Sequence, residues 1–204
     1  MILKLFEENP NEKDVLKVVD VLKNGGIIVY PTDTIYGIGC AITNARAVER
    51  VAQIKQIPIE KSNFSFICSD LSHLSDYTRP IDNSTFKLMR RLLPGPYTFV
   101  LNANNQVPKY FKRKKKTVGI RVPANQIILE IVRQLGNPIL STSVHDDDEV
   151  LEYMTDPELI YERLKNSVDL VVDGGFGGNR PSTVIDCTGE EPQLLRSGKG
   201  SVDF

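Results

Sequence analysis

Gly25-Gly26-Ile27-Ile28-Val29-Tyr30-Pro31-Thr32-Asp33-Thr34-Ile35-Tyr36-Gly37-Ile38-Gly39-Cys40 is the stretch from which the fold is read. Its two leading glycines release a short, largely β-branched run, 27–30, which predicts a buried strand. Pro31 ends that strand, because proline has no N–H to give a sheet ladder. The residues that follow are rich in hydroxyls and glycine: Thr32, Asp33, Thr34, Tyr36, Gly37 and Gly39. Small polar groups at a strand end, with glycines that let backbone come close, are one way to build a ligand mouth. The same composition also suits an ordinary turn-rich loop, and residue chemistry alone leaves both readings open.

Outward from this stretch, strands and helices alternate irregularly. Upstream, 2–6 reads as a strand, and Asn11 caps a helix to about Lys23 that carries Val15, Val18, Val19 and Leu22 on one face. Downstream, Asn44 caps a helix to about Gln56, and further helices cover 82–92 and 125–135. Asp156-Pro157 opens the last helix, since proline suits a first helical turn. Strands are expected at 63–68, 97–101, 117–122, 138–144, 168–173, 182–187 and 193–196. The irregular order favours a twisted mixed sheet flanked by helices over a doubly wound parallel one, in a single α/β domain spanning 1–204.

Composition narrows the function classes. With 204 residues, 41% hydrophobic and 25% charged, the chain is ordinary for a soluble globular protein. No run approaches the ~18 apolar residues of a membrane span, and MILKLFEENP is too short in apolar residues for a signal peptide. A cytoplasmic location is expected, with no membrane partner. Cys40, Cys68 and Cys187 are odd in number and far apart, which indicates neither a zinc site nor a disulfide framework. At a net charge of −1, nucleic-acid affinity would need a local patch. One exists: Lys109-Tyr110-Phe111-Lys112-Arg113-Lys114-Lys115-Lys116 holds six basic residues in eight, with two aromatics. Lys112, Arg113, Lys114, Lys115 and Lys116 either contact RNA phosphates or form a solvated loop; Asp146-Asp147-Asp148-Glu149 reads as a solvated loop.

Familiar catalytic motifs are missing. There is no GxxxxGK[ST], Arg180 stands where a third Rossmann glycine would follow Gly174 to Gly178, and no GxSxG supports a triad with His73 or His145. What remains are hydroxyls and cations at strand ends: Lys55, Thr117 and Arg121 in TVGIRVP, Ser141 to Ser143 in PILSTSVH, Ser182 and Thr183 in RPSTVID, and Arg196 with Lys199 in LLRSGKG. Cations and hydroxyls without a base–nucleophile pair suit an anionic nucleotide, because phosphoryl chemistry needs mainly positioning and charge neutralisation. Arg121 is expected to serve ligand binding more than stability.

The segment PTDTIYGIGC resembles the signature of the YrdC/YciO family, the threonylcarbamoyl-AMP synthase fold. TVGIRVP, PILSTS, PSTVID and LLRSG resemble the family's later blocks in the family's order, so the likeness covers nearly the whole chain. It implies a YrdC-like fold, related to that of DHBP synthase, and synthesis of threonylcarbamoyl-AMP from L-threonine, bicarbonate and ATP with Mg2+, feeding the t6A modification of tRNA. By position, Thr34, Arg121, Ser141 and Ser182 would hold threonine, with Tyr36 shaping the pocket. Lys55, Thr117, Ser143 and Arg196 would line the nucleotide side, and Lys55 and Arg121 would be the catalytic cations; no metal site of the protein's own is implied.

Three departures resemble the YciO branch. The Lys-x-Arg pair of the synthases reads Lys55-Gln56-Ile57, Ser-x-Asn reads Ser143-Val144-His145, and the KPL block is replaced by Lys61-Ser62-Asn63-Phe64. The first removes a cation facing the phosphates, so weak synthesis is expected. Two alternatives stand beside it: a non-catalytic protein binding double-stranded RNA or tRNA through the same basic cleft, or an enzyme acting on a different carbamoyl- or acyl-adenylate.

Overall fold

The computed structural model describes residues 1–58, 64–108, 117–144 and 155–201. The basic run at 109–116, the acidic run at 146–149, His145 and the Lys61–Asn63 departure lie outside the described residues.

Among the described residues the strands are β1 (Ile2–Lys4), β2 (Ile28–Tyr30), β3 (Gly37–Ala41), β4 (Ser65–Ile67), β5 (Tyr97–Asn102), β6 (Thr117–Arg121), β7 (Ile139–Ser143), β8 (Leu170–Asp173), β9 (Thr183–Asp186) and β10 (Gln193–Arg196). They form one 10-stranded sheet in the order β1-β8-β2-β3-β7-β4-β6-β5-β9-β10. Parallel pairs (β1–β8, β2–β8, β4–β6, β5–β9) mix with antiparallel ones, so the sheet is mixed and flanked by helices.

The helices begin where the capping side chains dictate. Asn11, Asn44, Asp82, Asn125 and Asp156 each accept a backbone N–H in the first turn of α1 (Glu12–Lys23), α2 (Ala45–Ile54), α3 (Asn83–Leu92), α4 (Gln126–Leu135) and α5 (Pro157–Leu164). Gly136, at φ 76°, closes α4 in the left-handed conformation.

The strand register divides the core into two layers. On one face Val29, Ile38, Leu140, Phe66, Ile120 and Phe99 pack with Val48 and Val51 of α2 and Met89 of α3. On the other face Ile28, Tyr30, Ala41, Ile139, Ile67, Leu170 and Val172 pack with Val15, Val18 and Val19 of α1 and Ile127, Ile128 and Ile131 of α4. This second layer covers only part of its face. Ser141 and Ser143 of β7, Ser65 of β4, Thr117, Gly119 and Arg121 of β6 and Thr98 of β5 share that face by register, beyond the reach of the apolar cluster. Ser65, Thr98, Thr117, Gly119 and Ser143 are half-buried, and in β5 and β6 they alternate with the buried Tyr97, Phe99, Val118 and Ile120 of the opposite face. An open polar floor results.

The structure corrects the reading of Gly37 and Gly39. Both belong to β3, an interior strand, and the loop ends at Tyr36. A Cβ on Gly39 would lie 2.1 Å from the Leu140 carbonyl oxygen, and one on Gly37 would lie 2.8 Å from the Tyr30 ring. These glycines admit the protein's own neighbours, not a ligand. Gly39→Ala should therefore lower the unfolding free energy by about 3 kcal/mol or more, because backbone must move to make room. Urea denaturation of parent and variant measures this; unchanged stability would mean that β3 can shift without cost.

Candidate functional site

The floor's one buried cation among the described residues is Arg121, at the end of β6. Its Nη2 donates to Thr32 Oγ1 at 3.1 Å, Asp33 Oδ1 at 2.5 Å and Thr34 Oγ1 at 2.6 Å. Asp33 Oδ2 also accepts the Ala124 N–H at 3.0 Å, and Thr32 Oγ1 donates to the Ile35 carbonyl at 2.7 Å. The loop after β2 is thus folded over the sheet and pinned there by one guanidinium. The ion pair is buried, with side-chain exposures of 10% for Arg121 and 8% for Asp33. Arg121 Nε, also buried, has no hydrogen-bond partner. A buried guanidinium N–H without an acceptor costs free energy unless a ligand supplies one.

A second wall comes from the β8–β9 crossover. These strands stand seven places apart in the sheet yet run the same way, so residues 174–182 must also descend a strand's length. Seven strand spacings make about 34 Å in a flat sheet, close to the full extension of ten residues, about 35 Å. The sheet is therefore curled, and the crossover cuts across its face. It is fastened to the loop after β2: the Gly178 N–H donates to the Thr34 carbonyl at 2.8 Å, and Tyr36 Oη donates to the Gly175 carbonyl at 2.7 Å while accepting the Gly174 N–H.

The remaining predicted residues divide accordingly. Ser141 is buried on the floor, and its Oγ lies 2.5 Å from Tyr30 Oη. Ser143 and Thr117 lie on the same face toward one end of the sheet, and Arg121 lies four residues along β6 from Thr117, about 13 Å away. Ser182 enters β9 with its Oγ 2.8 Å from Thr98 Oγ1, and Arg196 Nη2 donates to the Ser182 carbonyl at 2.9 Å. Lys199 Nζ reaches across to the Asp33 carbonyl at 2.6 Å, joining the C-terminal segment to the loop after β2. Lys55 is the half-buried C-cap of α2, on the other layer, in the connection that leads into β4. Ile57 follows it, half-buried, its N–H donating to the Ala52 carbonyl. Tyr36 belongs to the core layer opposite the floor, so it acts on the cleft through the crossover that its hydroxyl holds.

Sequence reasoning did not assign Asp33, Thr32, Tyr30 or Thr98. Asp33 sits inside the quoted motif, flanked by two threonines, but only the fold shows that its partner is 88 positions away. The thiols carry no evident chemistry: burial pushes Cys40 and Cys68 each up to about 12 and Cys187 up to about 11, so all stay protonated near neutrality. A concavity of about 370 Å³ is lined by Phe86, Arg90, Leu93 and Val122, among others.

The ion pair gives Arg121 a structural contact beside the binding role expected of it. Arg121→Ala strands the Asp33 carboxylate in a buried setting and should cost about 3–5 kcal/mol. Asp33→Asn, which keeps an oxygen for the Ala124 N–H, should cost less. Denaturant unfolding of both variants measures the order, and an Arg121→Ala protein as stable as its parent would show that the pair does not hold the loop.

Comparison with known proteins agrees with this architecture. The family model described as telomere recombination, which groups Sua5, YciO and YrdC proteins, matches residues 20–198. A protein named YciO from Escherichia coli is 43% identical over 200 residues, covering 97% of this chain and 95% of its own. Its crystal structure superposes with a TM-score of 0.91 over 98% of this chain and 97% of that one. A threonylcarbamoyl-AMP synthase from Coxiella burnetii is 30% identical over 84% of this chain and 92% of its own. The crystal structure of Sua5 from P. abyssi in complex with L-threonine is 27% identical, with a TM-score of 0.87 over 97% of this chain and 57% of that longer one. Among the described residues no helix is long and apolar enough to cross a membrane. The chain belongs to the Sua5/YciO/YrdC family.

Proposed function

We propose that the protein makes threonylcarbamoyl-AMP, slowly, from L-threonine, bicarbonate and ATP. The observation that carries this reading is the polar floor walled by the pinned loop and the crossover, with the buried Arg121 Nε–H lacking an acceptor. That donor suits a carboxylate, and threonine is the ligand of the P. abyssi Sua5 structure. In the proposed reaction the amine of threonine adds to CO2 derived from bicarbonate and loses a proton, giving an N-carboxylate. A carboxylate oxygen then attacks the α-phosphorus of ATP, a new P–O bond forms, and the bond to pyrophosphate breaks.

The protein's share of the work is placement and charge. Thr34, Arg121, Ser141 and Ser182 form the threonine side, and Thr117, Ser143, Arg196 and Lys55 the nucleotide side. Thr117 and Arg121 stand roughly 13 Å apart along β6, which separates the two sides of the cleft. Mg2+ enters with the phosphates of ATP, where it neutralises charge; among the described residues no group of three or more His, Cys, Asp or Glu side chains is placed to hold an ion. Slowness follows from Ile57: an alkyl side chain stands two residues after Lys55, where the synthase pattern has a second cation to neutralise the triphosphate.

The test is incubation with L-threonine, bicarbonate, Mg2+ and ATP, following the adenylate by mass and pyrophosphate by release assay. The parent should form threonylcarbamoyl-AMP, and pyrophosphate release should require threonine. Ile57→Arg, alone or with His145→Asn, should raise the rate about tenfold or more. A parent that binds threonine and ATP without forming the adenylate would remove the synthase reading and favour another adenylate; a parent that binds neither, yet binds RNA, would favour the RNA-binding alternative.

A further inference from the structure

Tyr30 is buried beside the floor, on the same face of the sheet. It is 0% exposed, it ends β2, and its ring fills the space above Gly37. Its hydroxyl makes a hydrogen bond with Ser141 Oγ across β3, at 2.5 Å. Burial also holds the phenol far above its ordinary range, so it keeps its proton. Among the described residues, Ser141 Oγ is the one hydrogen-bond acceptor that proton has.

The direction of this bond fixes what Ser141 can do. A phenol that has one acceptor within reach donates to it, since a buried O–H left unmade costs free energy. Ser141 Oγ is then an acceptor on its Tyr30 side, and its own proton must go elsewhere. Ser141 is buried and shares the floor with Ser65 and Gly119, by register. Its proton is therefore offered toward the open side, on the same face as the unpartnered Nε–H of Arg121.

We infer that Tyr30 is a positioning residue: by donating to Ser141 it commits the serine hydroxyl to act as a donor, tuned to an anionic oxygen of the ligand. This deepens the threonine reading above and rests on it. A serine with no partner behind it would rotate among its staggered positions and present lone pairs as readily as a proton. With the phenol behind it, the serine is set for a carboxylate. Tyr30 touches no ligand itself.

The experiment is a double-mutant cycle on L-threonine binding, by isothermal titration, with parent, Tyr30→Phe, Ser141→Ala and the double variant. Tyr30→Phe removes one oxygen and keeps every ring contact. Each single change should weaken threonine binding about tenfold, the order of one hydrogen bond to a charged group. The double variant should be no weaker than Ser141→Ala alone, because Tyr30 acts only through that hydroxyl. A merely structural Tyr30 would give additive losses or none, and either result overturns the inference while leaving the threonine reading intact. If the parent does not bind threonine, the threonine reading fails and the inference falls with it. Should Tyr30→Phe not fold, Ser141→Ala and Ser141→Thr decide: alanine should lose the affinity and threonine keep it, and an alanine variant that binds normally overturns the inference.

Discussion

One guanidinium organises this cleft. Arg121 sits at the end of β6 and gathers Thr32, Asp33 and Thr34, the residues that follow β2. Without it, the six residues between Tyr30 and Gly37 would be a surface loop with no reason to lie over the sheet. Pinned by it, they form the wall on which the β8–β9 crossover is hung through the Thr34 carbonyl and the Tyr36 hydroxyl. Lys199 then closes the ring from the C-terminal side, on the Asp33 carbonyl. Stability and site are the same interaction seen from two sides. A buried ion pair is weak evidence for net stability, but strong evidence that removing one partner is costly.

The fold was legible because its signals are local. Asn11, Asn44, Asp82, Asn125 and Asp156 announce helix starts by side-chain chemistry that acts within three residues, and each is a cap in the structure. β3 was hidden because its signal is not local. GIGCA carries two glycines, which weaken a strand by propensity. What makes it a strand is close packing against Leu140 and Tyr30, and those neighbours lie on other strands. A glycine that admits a ligand and a glycine that admits another strand look the same in one dimension.

The candidate site divides along the same line. Hydroxyls and cations at strand ends can be picked out of the sequence, and the family pattern ranks them. Which of them face each other is decided by sheet order, and that order is long-range: β7 and β4 sit between β3 and β6, although the chain reaches them far apart. Asp33 shows the consequence. From its neighbours it looks like one more turn residue, yet the register brings it to Arg121 and makes it the anchor of the loop. Tyr30 shows it again: in sequence it is the last apolar residue of a strand, and in the sheet its hydroxyl reaches Ser141.

The same geometry bears on the proposed function, in which a scaffold keeps a substrate site while its phosphoryl chemistry weakens. The groups around Arg121 are tied to the fold by burial and by hydrogen bonds to backbone, so losing them would cost stability as well as binding. Ile57 stands in a different setting, half-buried after the C-cap of α2, in a connection whose backbone leaves the helix at Gln56 with φ 52°. Under the proposed function a cation there would face the triphosphate. Under the proposed function, substitution at that position would lower phosphoryl chemistry at little cost to the fold, whereas substitution at Asp33 or Arg121 would also break the buried pair. If the proposed function holds, the amino-acid side of the cleft is the half tied to the fold, and the nucleotide side is the half where rate can change with least loss of stability.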